Sequence, residues 1–526
     1  MKCGRKPPGP IRRDLGQRYV LVILISLLIF AVPSFAFDLE FSGTDEIKQM
    51  VKQAHKLVQA ESLSEAEIIL RRAIDLDPNR SEAKVELGFV LSKKRRLIDA
   101  YDLVFPVVKA EPKNARAFAV LGAIYLAAGR FSDAQPLFTM SIKLNRREDL
   151  GWAGFGMLDF YENKIDESIG YLQEAIFHQP DEPDYLFSLA QVFARAERYN
   201  EAADAYNRFL SVSRGTDSDR RERIRGLVEF LHFVGTRESL YFNTGKDQTS
   251  IAFELVGNRP IIKVRLNNSP EPLRFVIDTG SGITVISDET AKRLRIKPIS
   301  RGGFAKGIGG NGRFEIVYGF LSSIQIGDVG VRSVPVYIRK FQGEGQPVDG
   351  YIGLAVISKY LATVDYGNKT FSLIKRDRET QDLREDTPLT LPLRLTSSGF
   401  LSGEVMLEGV ESPLNFIVDT GASVSVISER VAKTDTIVPF ANDERLRVIG
   451  SAGVTEDVRT FLLPKVSFGP HTRKKIVAIA LDLDIINEAS GFEQAGILGG
   501  NFLKNYRHTF DFKNSKVLFT SIQAEN

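Results

Sequence analysis

The stretch "FVIDTGSGITVIS" (Phe275–Ser287) returns 141 residues later as "FIVDTGASVSVIS" (Phe416–Ser428). Each copy places one aspartate, Asp278 or Asp419, behind a short apolar run and ahead of a second. A single Asp-Thr-Gly is ordinary turn chemistry, since Asp and Gly are common turn residues. Two copies in matched surroundings allow more. Carboxylates held close together cannot both ionise cheaply, so one pKa falls, the other rises, and the pair shares a proton. Such a pair supplies a base that can activate water and an acid that can protonate a leaving group. Its titration belongs to the pair rather than to either residue.

The elements that would carry these aspartates are duplicated as well. "KGIGGNG" (Lys306–Gly312) matches "VIGSAG" (Val448–Gly453) at the same offset, pairing Ile308 with Ile449 and Gly309 with Gly450. "GYIGLAVISKY" (Gly350–Tyr360) matches "GILGGNFLKNY" (Gly496–Tyr506) at an offset of 146, and "VDYGNKTFSLI" matches "FDFKNSKVLFT". After Gly235 the runs are short and alternating, as in "IIKVRL", "ITVIS" and "VPVYI", and are bounded by Gly, Pro and Asn. That texture reads as β structure. One β lobe therefore occurs twice in tandem.

The order within each copy is strand, Asp-Thr-Gly-[Ser/Ala], strand, Gly-rich hairpin, then an apolar-Gly-apolar turn. It resembles the retropepsin-like aspartic proteases over roughly residues 250–525. Retropepsins pair two chains to make one site, whereas here both lobes lie in one chain, as in pepsin. The resemblance implies an all-β bilobal fold, Asp278 and Asp419 as the catalytic pair, and a polypeptide substrate in the cleft between the lobes. It further implies that Thr279 and Thr420 bond across the lobe interface. Gly280 and Gly421, followed by Ser281 and Ala422, complete turns tight enough to donate N–H groups to the carboxylates. Gly307, Ile308, Gly309 and Gly310 in the first lobe, and Ile449 and Gly450 in the second, become flap residues whose glycines permit opening. Neither copy shows the flap tyrosine of a pepsin. Gly307, Gly309 and Gly312 also spell a dinucleotide fingerprint, but that motif requires a following helix, and "RFEIVYGFL" reads as a strand.

The preceding part has a different construction. Gly88, Gly122 and Gly156 lie 34 residues apart, and Ala54 and Ala190 extend the column both ways. Ala66, Ala100, Ala134, Ser168 and Ala202 form a second column with that period, and Pro78, Pro112 and Pro180 a third, with Arg146 in the missing place. Small residues let paired helices approach closely, and the prolines stop the second helix of each pair. The period and columns resemble the tetratricopeptide repeat over five units. Asp217–Phe233 is expected to be the polar-faced capping helix that closes the array. Such repeats imply a concave face for a protein partner.

The chain is thus expected to be multi-domain: an all-α TPR solenoid followed by an all-β bilobal aspartic-protease fold. The boundaries read as 1–36, 37–235 (repeats and cap), 236–376 (first lobe), 377–390 (charged linker) and 391–526 (second lobe). Over 526 residues the net charge is +3, which points away from nucleic acid. The sole cysteine, Cys3, and five scattered histidines argue against a disulfide or a metal centre, and no cofactor is expected. Six basic residues precede "YVLVILISLLIFAV", which is followed by Ser34 and Ala36. This reads as an export signal, cleaved or retained as an anchor through residues 19–37, with the body periplasmic or extracellular. The favoured function is an exported aspartic endopeptidase, with the repeats recruiting substrate or partner. The alternative from another class is a scaffold that holds peptides with repeats and a protease-like cleft without cutting them.

Overall fold

The computed structural model describes residues 43–237, 239–310, 312–341, 347–376 and 390–522. The expected export segment, 1–36, and all but the last residue of the expected charged linker lie outside these. Among the described residues, no helix is long and apolar enough to cross a membrane.

Ten helices pair into five antiparallel hairpins: α1 (Gly43–Gln59) with α2 (Leu63–Leu76), α3 (Ser81–Lys93) with α4 (Leu97–Ala110), α5 (Ala115–Ala127) with α6 (Phe131–Leu144), α7 (Asp149–Tyr161) with α8 (Ile165–His178), and α9 (Pro183–Arg195) with α10 (Tyr199–Val212). The columns read from sequence explain the pairing. A Cβ on Gly88 would overlap the Val104 side chain, and one on Gly122 or Gly156 would overlap Phe138 or Leu172. Ala66, Ala100, Ala134, Ser168 and Ala202 are all fully buried, and the Ser168 hydroxyl is satisfied by the Gly156 carbonyl at 2.7 Å. Pro78, Pro112 and Pro180 each follow the C-cap of the second helix in a pair.

The closing helix α11 (Ser218–Gly235) begins where the sequence reading placed it, with the Asp217 side chain capping the Arg220 N–H. Its surroundings differ from the expected solvated end. Ile224, Val228, Phe230, Leu231 and Val234 are buried, and the helix lies against strand Ser300–Lys306 of the first β lobe. The reason is apolar: Phe230 stacks on Tyr318 at 4.7 Å, and Phe233 meets Phe320 edge-on at 5.4 Å. An aromatic face of this size is costly to leave in water.

Each β lobe has its own sheet, and a third sheet joins them. In the first lobe, Gly350–Ile352 runs parallel to Leu273–Ile277 and antiparallel to Thr284–Ser287. In the second, Gly496–Leu498 takes the same place between Leu414–Val418 and Ser425–Ser428. The joining sheet has six strands, and its central pair is Tyr360–Asp365 with Tyr506–Asp511. Thr363 and Thr509, 146 residues apart, face each other there with hydroxyls 3.0 Å apart, as expected at the axis relating two copies.

Candidate active site

Strands Leu273–Ile277 and Leu414–Val418 are buried apolar runs that end abruptly at an aspartate. The turn that follows is anchored from the neighbouring strand: the Asp278 N–H donates to the Ile352 carbonyl at 3.0 Å, and the Asp419 N–H to Leu498 at 3.1 Å. That anchoring is the task of the late glycine motif in each lobe.

The threonines lock the two turns together. The Thr279 hydroxyl donates to the Val418 carbonyl at 2.7 Å, and the Thr420 hydroxyl to Ile277 at 2.6 Å. Reciprocally, the Thr420 N–H donates to the Thr279 hydroxyl at 3.0 Å, and the Thr279 N–H to the Thr420 hydroxyl at 3.2 Å. Both threonines are fully buried. Every donor has an acceptor, so breaking this exchange leaves buried groups unpaired, at about 1–3 kcal/mol each.

The glycines do more than turn the chain. A Cβ on Gly280 would fall on the Asp419 carboxyl, and one on Gly421 on the Asp278 carboxyl. Each therefore makes room for the aspartate of the opposite lobe. Their N–H groups also donate: Gly280 to Asp278 Oδ1 at 3.0 Å, Gly421 to Asp419 Oδ1 at 2.7 Å, with Ala422 adding 3.1 Å to the same oxygen. The Ser281 hydroxyl turns away to the Ile283 carbonyl at 2.8 Å.

The two carboxyls each lie against the other's turn and interact directly. Desolvation raises Asp278 well above the usual carboxylate range, and the Asp419 charge adds to the rise. Asp419 is also raised by desolvation, but interaction with the Asp278 carboxyl and backbone N–H groups of Gly421, Ala422 and Gly280 oppose that. The shared proton therefore favours Asp278 and the charge favours Asp419, because Asp419 has the greater number of N–H donors.

Above the pair lie two hairpin tips. The Gly310 N–H donates to Val454 at 3.0 Å, the Ala452 N–H to Ile308 at 2.7 Å, and the Ile308 N–H to the Ser451 hydroxyl at 3.1 Å. Gly307, Ile308, Gly309 and Gly310 sit at the first tip, and Gly450 packs against the Ile308 carbonyl from the second. Ile449 lies one step back and is 47% exposed. Ser451 and Ala452, within the matched Val448–Gly453 motif but not among the flap residues named from it, make bonds across, as does Val454 beyond it. Arg313–Ile326 after the first tip is a strand, so no helix opens there for a dinucleotide.

Flaps, carboxyls and helices α9 and α11 enclose a cavity of about 1700 Å³. Its lining includes Arg259 and Arg339, which no motif flags, and Tyr351, the second residue of the first late glycine motif. Only comparison of the two copies points to Arg259, whose counterpart at an offset of 141 is Phe400. A smaller groove of about 250 Å³ lies on the repeat array between Glu86, Arg116, Glu148 and Glu182. Among the described residues no cluster of histidine, cysteine or acidic side chains could hold a metal ion.

Comparison with known proteins agrees with this division. Residues 262–356 and 403–502 match the aspartyl protease family, and residues 154–218 match the tetratricopeptide repeat family. The chain is 22% identical over 218 residues to cellulose synthase operon protein C of Pseudomonas fluorescens (strain SBW25), covering 39% of this chain and 17% of that protein. It is 20% identical over 164 residues to anaphase-promoting complex subunit 3 of Schizosaccharomyces pombe (strain 972 / ATCC 24843), covering 31% and 24%. Both similarities thus span less than a quarter of the relative's length. Among solved structures, a thermophilic TPR protein of Thermus thermophilus covers 35% of this chain and 98% of its own, at 19% identity and a TM-score of 0.30. PilF of Pseudomonas aeruginosa covers 36% and 85%, at 16% identity and a TM-score of 0.27. The chain joins a tetratricopeptide-repeat array to a tandem pair of retropepsin-like aspartyl protease lobes.

Proposed function

We propose that the chain is an aspartic endopeptidase, with Asp278 and Asp419 as its catalytic pair. The observation that carries this is the pair of buried carboxyls that the reciprocal Thr279–Thr420 bonds hold against each other's turn on the floor of a large cleft. A water bound between them gives a proton to the Asp419 carboxylate as its oxygen attacks the scissile carbonyl carbon. Asp278 gives its proton to the carbonyl oxygen, forming a neutral gem-diol. As that diol collapses, one hydroxyl proton returns to Asp278, the C–N bond breaks, and Asp419 protonates the departing nitrogen. The pair ends as it began, with one proton on Asp278. Apolar walls at Val276, Ile277, Ile417 and Val418 keep the surroundings of low dielectric, which strengthens each of these transfers.

The flap tips bonded across the cleft must part to admit a polypeptide. The repeats would present partner or substrate beside the cleft, which α9 and α11 help to wall. The basic and apolar pattern within residues 1–36 supports export, and N-terminal sequencing of the mature chain tests it.

Incubation of the full chain with an unstructured protein should yield fragments, and Asp278→Asn should abolish them. Fragments that persist in that variant, or never form with the wild type, would sink the assignment.

A further inference from the structure

Two lobes built from one plan invite a comparison of the pocket each offers beside the carboxyl pair. The strand registers identify the equivalent positions. Ile261 pairs with Val276, and Ser402 with Ile417, so Arg259 and Phe400, each two residues upstream, correspond. Tyr351 pairs with Val276 and Ile497 with Ile417. Arg339 pairs with Ser287 and Leu481 with Ser428. All six line the cavity. The first lobe thus contributes two arginines and a tyrosine where the second contributes a phenylalanine, a leucine and an isoleucine.

The second pocket continues an apolar cluster that includes Ile417, Val426, Ile479 and Leu483. The first is built around charge. Arg259 is within electrostatic reach of Asp278 and of Tyr351. The Tyr351 ring packs edge-on to Phe341 at 5.3 Å. The Arg339 guanidinium lies 3.8 Å over the Phe314 ring and donates Nη2 to the Ser451 carbonyl in the opposite flap. Both arginines keep a buried Nε with no hydrogen-bond partner. An unpaired buried N–H on a cation costs more than a neutral one, and a second-lobe copy of this site would need neither. The singly charged carboxyl pair offsets one of these two arginine charges, and the unpaired Nε groups leave donors to spare.

We propose that this first-lobe pocket is the subsite for an acidic side chain, Asp or Glu, of the bound polypeptide. The second-lobe pocket takes an apolar side chain from the opposite side of the scissile bond. The proposal rests on the cleft being a polypeptide cleft, and it adds the substrate class: segments in which an acidic and an apolar residue flank the carboxyl pair. Guanidinium and carboxylate match in charge and planar geometry, which favours arginine over lysine for this task. A side chain suits the pocket better than a chain terminus, since the cavity runs on past both pockets toward helices α9 and α11.

The test uses the full chain and peptides with a non-cleavable hydroxyethylene unit, amidated at the C-terminus so that only a side chain can supply a carboxylate. Glu or its neutral isostere Gln is placed on one side of the unit, Leu on the other, in both orientations. In one orientation the Glu peptide should bind about tenfold or more tightly than the Gln peptide, with the preference falling as salt rises. The preference should collapse in Arg259→Gln and Arg339→Gln and survive in part in Arg259→Lys, with thermal midpoints confirming that each variant is folded. Equal affinities in both orientations, no binding of any peptide, or a preference that persists in the double Gln variant would overturn the proposal. Turnover of an unstructured protein separates this from the catalytic reading. Cleavage without an acidic preference removes the subsite and keeps the protease, whereas Glu-selective binding without cleavage does the reverse.

Discussion

In the proposed mechanism each of the paired aspartates depends on the other for its proton. Removing either carboxyl takes away the base or the acid and, with it, the neighbour that splits the two pKa values. Asp278→Asn and Asp419→Asn should therefore each cost nearly as much as the double variant. A single variant that keeps more than about a tenth of wild-type kcat, a loss under ~1.4 kcal/mol in the barrier, would contradict the shared-proton scheme. A second titrating residue bears on stability. His508 is fully buried in the sheet that joins the lobes, stacked on Phe519 at 4.4 Å, with Nε2 bonded to the Leu503 carbonyl at 2.9 Å. Burial pushes its pKa down to about 3, helped by nearby His471 and opposed by Asp365 and the Leu503 bond. The unfolded histidine titrates near ~6.5. Below that pH the unfolded chain gains a proton the native chain refuses, so stability falls as pH drops from there toward 3, by at most about 1.4 kcal/mol per unit. The raised Asp278 works in the opposite direction, losing stability as pH rises. His508→Gln should flatten the fall in thermal midpoint between neutral and mildly acidic pH; an unchanged slope would show that other groups carry it. At this scale the sequence was most legible where chemistry is local. Asp-Thr-Gly carries its carboxylate, donors and turn within a few residues. Arg259, Arg339 and Tyr351 come from separate strands, and no local pattern joins them.

The repeats show where legibility ends at the scale of elements. The small-residue columns were readable because each helix pair must approach closely whatever else it touches. The turns between paired helices were not. Glu61, Arg95, Gly129, Asn163 and Glu197 all adopt left-handed backbone at the same 34-residue spacing. Only the glycine and the asparagine advertise it, since the other three are residue types that rarely adopt it. The α11 contact with the first flap was hidden for a related reason, as the charged residues of Asp217–Phe233 suggested a solvated face. In the structure those charges reach the flap hairpin. Arg223 donates to the Phe304 carbonyl at 3.0 Å, Asp219 pairs with Arg313 at 2.6 Å, and the Ser300 hydroxyl donates to the Gly226 carbonyl at 2.8 Å. A Cβ at Gly226 would overlap the Arg301 carbonyl. Gly226→Val should thus push helix and hairpin apart, at about 1–3 kcal/mol. The expected readout is faster amide exchange in Ser300–Lys306 with the second flap hairpin little changed. Equal protection of both hairpins in the variant would show that α11 does not hold the flap.

Across the whole molecule, four of the five turns just described form the seam between repeats and protease, while Glu61 pairs with Arg220 of α11. Arg95 reaches the Gly491 carbonyl at 3.5 Å, the Gly129 carbonyl accepts from Asn415 at 3.3 Å, Asn163 donates to Phe512 at 3.2 Å, and Glu197 pairs with Lys359. One repeat period thus sets one anchoring point. At the centre, Phe492 of the second lobe is fully buried between Phe131 and Tyr161, 4.9 Å from each ring, and Arg394 lies 4.0 Å over Phe131. An aromatic anchor of this kind dominates an interface, with the surrounding polar contacts contributing little beyond excluding water. Truncating it leaves a cavity and loses the transfer free energy, about 3–5 kcal/mol for a buried phenylalanine. That is a large fraction of the margin by which a domain is folded. The wild-type chain should therefore unfold with repeats and lobes in one transition, since each covers apolar surface of the other. Phe492→Ala should split the transition in two, the helical signal parting from the β signal in circular dichroism. Arg95→Ala, which removes a long hydrogen bond and a charge but opens no aromatic cavity, should leave it single. If Phe492→Ala melts as one unit at the wild-type temperature, the seam does not couple the halves, and the repeats ride on the protease as an independent module.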